Sequence, residues 1–417
     1  MTTLVTNREA GALAAAASAA PAIALVRHVP ALTGVRAFAA LWVMLYHVWL
    51  GAHAPALRLG TGMLAIDFTP LVASGWFGVD VFFVLSGFVL TQQALASDHL
   101  ASRDTVRGQR YGAFLTRRIL RVFPAYYACL TVLLLFPAFR GAPQVPAPSM
   151  PDLALHLVMM HNAVSSYLPT INGVFWSLPF EWQFYLVMPL LALPVLRGHA
   201  KVLLLLALAT SLAARIYIIR SGNERMLEQL PVRIDEFVVG MAAASFAQDE
   251  RAVRHRGAIF WSGFALLFAV ATYFGIRRIP WWTPDAWPTV RSWCVTGGTA
   301  LMLVGLARGA RTGTVALGNP IAVWLGEISY SIYLWHVPVT AYLYYRTTWL
   351  DALRVVPLAR PIVAMTGAIA VSAASYYLVE RPFHYGALSA RRLRGAVWIS
   401  FAILGSWALA LLLFQAF

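Results

Sequence analysis

Stretches of about 20 apolar residues recur along this 417-residue chain, and they limit its fold more than any other feature. Each stretch is long enough to cross the ~30 Å hydrocarbon core of a bilayer as a helix. Backbone groups in lipid must pair within their own segment, so such stretches form helices. Only 12% of the residues are charged, against about 25% in soluble domains. The sequence therefore predicts an all-α, polytopic integral membrane helical bundle.

Ten or eleven transmembrane helices are expected, and a membrane domain at 31–384 contains ten of them. The predicted spans are residues 31–53, 70–95, 117–139, 174–197, 200–220, 231–248, 257–276, 290–308, 321–346, 360–381 and 395–416. Residues 1–30 form a predicted cytoplasmic leader, whose Ala-rich stretch 10–26 is the one part that could insert. Residues 385–417 are predicted to be a basic inner loop and an additional C-terminal helix.

The basic residues set the expected orientation and exclude nucleic acid as a partner. The formal net charge is +15, but the arginines stand singly or in short clusters between apolar stretches. That pattern is typical of membrane loops rather than of a duplex-binding face. A cytoplasmic N-terminus places 20 of the 32 basic residues inside. We therefore expect a multi-pass protein with an extracytoplasmic C-terminus. The 31 arginines against one lysine are typical of a GC-rich bacterial genome, so the expected membrane is a bacterial inner membrane.

The first predicted span carries two polar side chains on one face. Arg36 and His47 are eleven residues apart, about three turns and about 16 Å along a helix. Ionisable groups within a span are costly and mark functional positions. The separation is comparable to an extended pantetheine arm. A thioester carrier bound by its phosphates near Arg36 could therefore place its reactive carbon near His47.

Two carboxylates are predicted to lie near the depth of His47. Asp80 is in the second span and Glu181 is in the fourth. A carboxylate beside an imidazole orients the ring and supports its protonated form, so Asp80 and His47 are a candidate general-base pair. The alternative is an Asp–His bond that only ties two helices together. Glu181 is expected either to orient the acceptor hydroxyl or to pair with an arginine.

Arginines and aromatic residues supply the remaining candidates. Arg118 and Arg121 are neighbours on one helical face and could grip phosphate, although ordinary positive-inside anchoring also explains them. Trp176, Tyr330 and His336 are expected either to contact the acceptor or to have structural roles. Cys129 and Cys294 lie inside apolar segments, which argues against a disulfide framework. No metal site is predicted.

Taken together, these segments resemble integral-membrane acyltransferase family 3, the bacterial O-acyltransferases of surface polysaccharides and related acceptors. The resemblance extends over residues 31–384. It rests on the Arg36–His47 spacing, FGVDVFFVLSGF, the Arg118–Arg121 pair followed by Pro124, WSLPFEWQFYL with Glu181, and the closing segments SYSIYLWH and VERPF. Trp182 departs from the pattern, because members often have a second acidic residue there.

The resemblance implies roles for particular residues and a bundle of about ten helices around an acyl-donor passage. His47 would be the essential histidine, with Arg36 in the same element. Arg118 and Arg121 would be the acyl-CoA-binding pair. Acyl-CoA, with acetyl as the default acyl group, would be the donor substrate, and no bound cofactor is expected. Some members carry an extracytoplasmic esterase-like domain that is not expected here, so the protein would be a stand-alone membrane acyltransferase or would rely on a separate partner for later steps.

We therefore expect a membrane O-acyltransferase that moves an acyl group from cytoplasmic acyl-CoA to a hydroxyl of an extracytoplasmic or lipid-linked glycan. The alternatives are a proton-coupled transporter or flippase of a polysaccharide precursor and a non-catalytic assembly subunit. The arm-length spacing between Arg36 and His47 favours the enzyme, because a transporter has no need of it. Acceptor identity, acyl length and oligomeric state are left open by the sequence.

Overall fold

The computed structural model describes residues 29–60, 66–100, 107–140, 148–164, 170–222, 229–277, 287–347 and 359–384. Within these ranges the chain is a helical bundle with one short antiparallel hairpin, β1 (Arg58–Leu59) and β2 (Ile66–Asp67), in which Arg58 pairs with Asp67. The helices are α1 (Pro30–Gly51), α2 (Thr69–Ala73), α3 (Phe77–Leu100), α4 (Arg107–Leu135), α5 (Met150–Leu157), α6 (Leu178–Leu196), α7 (Ala200–Ser221), α8 (Leu230–Phe246), α9 (Glu250–Arg254), α10 (Arg256–Arg277), α11 (Trp287–Ala307), α12 (Arg311–Leu317), α13 (Pro320–Glu327), α14 (Ser329–Tyr345), α15 (Ala359–Ser375) and α16 (Arg381–His384). A π-helical turn, Tyr376–Glu380, joins α15 to α16, and a 3₁₀ turn, Gly173–Ser177, precedes α6.

The predicted membrane bundle is confirmed within the described residues. Ten of the eleven predicted spans lie on these helices, and eight helical stretches are long and apolar enough to cross a membrane. The helices α8 and α14 have 17 residues each, slightly fewer than the ~20 that usually span. The predicted eleventh span, residues 395–416, and the leader up to residue 28 lie outside the described residues.

Two predicted spans differ from the observed helices near polar side chains. The third span was predicted to begin at 117, but α4 already begins at Arg107, so its arginines lie well inside the helix. The ninth was predicted as one helix, but it is broken at Ile328 into α13 and α14. The break lies where Arg36 donates a hydrogen bond to the Gly326 carbonyl, and hydropathy carries no signal for such a contact.

Helices α1 and α3 lie between two apolar clusters and contribute a face to each. In α1, Val43 and Met44 pack into the cluster shared with α4, α6 and α14. Leu32 and Val35 pack into the cluster shared with α10 and α11. By contrast, α7 exposes large apolar side chains such as Leu205, as expected of a helix that faces lipid. Asp80 in α3 is therefore enclosed by protein, and Arg36 and His47 in α1 are half-buried.

Glycines allow α3 and α8 to approach closely. A Cβ on Gly87 in α3 would overlap the carbonyl oxygen of Phe237 in α8. A Cβ on Gly240 in α8 would likewise overlap the Val84 carbonyl oxygen in α3. Small residues at such crossings are how membrane helices gain contact without a hydrophobic driving force. This contact fixes the position of Asp80, which lies two turns before Gly87.

Gly87→Ala is expected to lower the melting temperature of the protein in nanodiscs, because the added methyl group has no space between α3 and α8. Overpacking of this kind costs about 1–3 kcal/mol. Gly297→Ala is the matched control, since a Cβ at Gly297 would meet no atom within 4 Å. Equal melting temperatures for the two variants would contradict the close approach.

Candidate functional site

A cavity that encloses about 520 Å³, including space open to its surroundings, lies among α1, α3, α4, α6 and α14. Its polar lining consists of Arg36, Arg121, Ser177, Glu181, Tyr185, Ser329, Tyr330 and Tyr333. Its apolar lining consists of Val79, Phe82, Phe83, Val122 and Leu178. Two guanidinium groups and one carboxylate leave this lining with an excess of positive charge. The cavity therefore offers two guanidinium groups to an anionic ligand, although Glu380, outside the lining, also acts on both arginines.

Arg36 is fixed on one wall of the cavity by the start of α14. Its Nε donates to the Gly326 carbonyl oxygen at 3.3 Å and to Ser329 Oγ at 3.2 Å. The guanidinium also lies over the Phe82 ring, 6.0 Å from its centroid. Its Nη groups have no hydrogen-bond partner among the described residues. Arg36 is therefore oriented through Nε while its terminal nitrogens stay available to a ligand.

The two arginines of α4 occupy different environments. Arg121 lines the cavity. Arg118 is buried outside the lining, with its guanidinium 5.6 Å from the Phe114 ring and 5.8 Å from the Tyr185 ring. The structure thus places Arg121, but not Arg118, in the cavity lining, and the phosphate-binding role of the pair stays a prediction.

Glu181 lies in the first turn of α6 and also faces the cavity. It accepts hydrogen bonds from Ser86 Oγ at 3.1 Å and from the Tyr185 hydroxyl. Its charge acts on Arg36, so it belongs to the arginine-lined cavity rather than to the surroundings of His47. Tyr185 and Ser86 were not predicted. Tyr185 could have been found from its i, i+4 spacing with Glu181. The sequence around Ser86 contains no such signal.

His47 lies outside the cavity lining. The rings of Tyr333 and His336, both in α14, lie between the cavity and His47. The Tyr333 ring, part of the cavity wall, is 5.8 Å from the His336 ring. His336 Nε2 is in turn 3.2 Å from His47 Nδ1. His336 is fully buried and His47 is half-buried. His336, which was expected either to contact the acceptor or to have a structural role, thus contacts the predicted catalytic histidine directly.

Asp80 does not contact His47, and the predicted Asp80–His47 pair is wrong. Asp80 Oδ1 instead accepts a hydrogen bond from Arg233 Nη1 at 2.8 Å, and Arg233 also pairs with Glu236 at 3.0 Å. A buried carboxylate is stabilised far more by a full positive charge than by a neutral imidazole. Asp80 lies on the face of α3 that packs on α8, and this face is set by the glycine contacts.

Asp80 belongs to a buried charge cluster, which we define as Asp80, Arg215, Arg233, Asp235 and Glu236. Arg215 pairs with Asp235 at 3.1 Å, and the Trp293 indole N–H donates to Asp235 at 3.0 Å. All five side chains are less than a tenth exposed. The cluster ties α3, α7, α8 and α11 together.

The two remaining predicted residues make structural contacts. The Trp176 ring lies 5.1 Å from the Arg233 guanidinium carbon, so it packs on the buried charge cluster. The Tyr330 hydroxyl donates to the Val122 carbonyl oxygen at 3.0 Å, and its ring lines the cavity. Among the described residues, no three His, Cys, Asp or Glu side chains are grouped so as to hold a metal ion.

Comparison with known proteins places these elements within one recognised domain. The chain matches the family model of an acyltransferase domain over residues 29–380. It is 30% identical to the acyltransferase MdmB of Streptomyces mycarofaciens over 352 residues, 76% of this chain and 80% of that protein. It is 24% identical to the O-acetyltransferase OatA of Staphylococcus aureus over 344 residues, 76% of this chain but 51% of that protein. The chain thus aligns with about half the length of OatA. No solved structure matches it.

Proposed function

Because the chain belongs to the acyltransferase family whose model it matches over residues 29–380, we propose that it is a membrane O-acyltransferase that uses acyl-CoA as its donor. The proposed acceptor is a hydroxyl of an extracytoplasmic or lipid-linked glycan, and acetyl is the proposed acyl group. The arginine counts favour insertion in a bacterial inner membrane with the Pro30 end of α1 toward the cytoplasm.

The observation that carries this proposal is the charge and position of the cavity. Arg36 and Arg121 give its lining an excess of positive charge, which suits the phosphates of CoA. The wall formed by Tyr333 borders His336 and, through it, His47. His47 lies about 16 Å along α1 from Arg36. The pantetheine arm of a donor bound by its phosphates at the arginines has to pass the Tyr333 ring to bring its thioester to the imidazole.

His47 can act in either of two ways in the proposed acyl transfer. As a general base it takes the proton of the acceptor hydroxyl while the oxygen bonds to the thioester carbonyl carbon and the C–S bond breaks. As a nucleophile it first takes the acyl group itself and then passes it to the hydroxyl. In both routes the CoA thiolate regains a proton. A radioactive acyl group retained on denatured protein without acceptor would identify the second route.

The direct test is CoA release by purified protein in lipid nanodiscs supplied with acetyl-CoA, with and without candidate glycans. Acceptor-dependent release supports the proposal. A series of donors from acetyl-CoA to palmitoyl-CoA covers the acyl length. If no donor of the series is either bound or turned over, the acyl-CoA assignment is wrong.

Arg121→Ala is expected to raise the dissociation constant for acetyl-CoA by about tenfold or more, because a charge-assisted contact to phosphate is worth about 1.5–3 kcal/mol. Arg118→Ala is the matched comparison, since Arg118 packs on aromatic rings outside the cavity. It should weaken donor binding much less. The measurement is a binding titration in nanodiscs. A larger effect of Arg118→Ala would show that the donor binds elsewhere than in this cavity.

A further inference from the structure

The contacts around the two histidines indicate which nitrogen of each ring carries a proton. His336 Nδ1 is 3.0 Å from the Ile332 carbonyl oxygen, which can only accept, so this nitrogen is the donor. In the neutral ring, His336 Nε2 then presents a lone pair. His47 Nδ1, 3.2 Å away, must therefore donate to it. The Val43 carbonyl oxygen, 2.9 Å from the same Nδ1, requires the same assignment. His47 Nε2 is left without a proton.

The surroundings of the pair are neutral. The titratable side chains whose rings pack on the pair are Tyr46, with its ring centroid 5.1 Å from that of His47, and Tyr333, at 5.8 Å from His336. Among the described residues no carboxylate hydrogen-bonds to either imidazole. In serine-hydrolase triads a carboxylate holds the base in its working tautomer. Here a second imidazole occupies that position, and it adds no charge to the membrane interior, where charge is costly.

From this geometry we propose that His336 is a positioning residue for His47. It shares the Nδ1–H of His47 with the Val43 carbonyl oxygen, and so helps to direct the unprotonated Nε2 toward the acceptor hydroxyl. When His47 takes the hydroxyl proton, the same hydrogen bond becomes charge-assisted and stabilises the imidazolium until the proton passes to the departing CoA thiolate. His336 itself touches neither substrate. The inference rests on the proposed function, because it takes His47 as the base of an acyl transfer.

Two substitutions at one position test the role of the acceptor nitrogen. In His336→Gln the side-chain oxygen can lie where Nε2 lies and accept from His47. In His336→Asn the side chain is shorter and reaches only the position of Nδ1. We expect His336→Asn to lower kcat about 100-fold, within the range of general acid–base effects, with little change in the KM for acetyl-CoA. We expect His336→Gln to recover most of that loss.

A purely structural role for His336 predicts a different outcome. Both variants would then lose melting temperature and activity together, or neither would change kcat. Either result overturns the proposal. Melting temperatures and acetyl-CoA binding in nanodiscs show whether each variant is folded. If the wild type transfers no acyl group, the proposed function fails. The tautomer of His47 then still tests whether the hydrogen bond between His336 and His47 has the proposed direction.

Solid-state ¹⁵N NMR of histidine-labelled protein in bilayers measures that tautomer without relying on activity. The spectrum of His47→Gln identifies the His47 signals by their loss. We expect a protonated Nδ1 and an unprotonated Nε2 for His47 in the wild type. A protonated Nε2 in the neutral His47 ring would overturn the proposal whatever the kinetics show.

Discussion

His47→Gln is expected to lower the kcat of acyl transfer by about 10³–10⁴-fold, because loss of the base removes the group that receives the acceptor proton. The dissociation constant for acetyl-CoA should stay near the wild-type value. His47 lies beyond the Tyr333 wall and outside the lining that contains Arg36 and Arg121. The measurement pairs single-turnover transfer with a donor-binding titration.

His255→Gln serves as the control for this substitution, because His255 is exposed in the turn between α9 and α10. It should retain wild-type transfer and binding. Together with Arg121→Ala, the His47 variant separates the two halves of the site: one variant loses affinity for the donor, and the other loses turnover. Transfer by His47→Gln at the wild-type rate would rule out His47 as base and as nucleophile.

Asp80→Asn is expected to lower the free energy of unfolding by about 3–5 kcal/mol, the usual cost of removing one partner from a buried ion pair. Asp80 is 1% exposed and accepts from Arg233 at 2.8 Å. Among the described residues, Arg233 then keeps Glu236 as its carboxyl hydrogen-bond partner. The loss should appear as a lower midpoint of denaturant-induced unfolding in mixed micelles.

Glu250→Gln is the control for Asp80→Asn, because Glu250 is exposed at the start of α9. It should unfold like the wild type. Where Asp80→Asn remains folded, its kcat should stay close to normal. A variant with unchanged stability but a large loss of kcat would instead place Asp80 in the chemistry, as the sequence alone had suggested.

The free-energy cost of placing a polar group in a membrane explains which parts of the site were predictable. Arg36, His47, Arg121 and Glu181 were found because a polar group in an apolar stretch needs a reason to be there. The structure brings three of them to one cavity and places His47 behind its Tyr333 wall. Their roles in transfer stay predictions.

Hydrogen-bond partners were less predictable, because they depend on how each helix is rotated about its axis. Similar depth suggested that Asp80 faces His47, yet depth says nothing about direction. Gly87 lets α8 approach α3, and this brings Arg233 to Asp80. His336 was a candidate with two roles, and only the packing of α14 on α1 showed its contact with His47.

The sequence by itself determined that this protein is a bundle of membrane helices, because hydrocarbon tolerates almost no other backbone. It also determined which side chains had to be enclosed, because isolated charges cannot face lipid. Only the tertiary structure decided which enclosed charges meet. Successive side chains of a helix are rotated by about 100° around its axis, so a small rotation of the helix gives a side chain a different partner. Arg118, for example, lies on aromatic rings, while Arg121 lines the cavity.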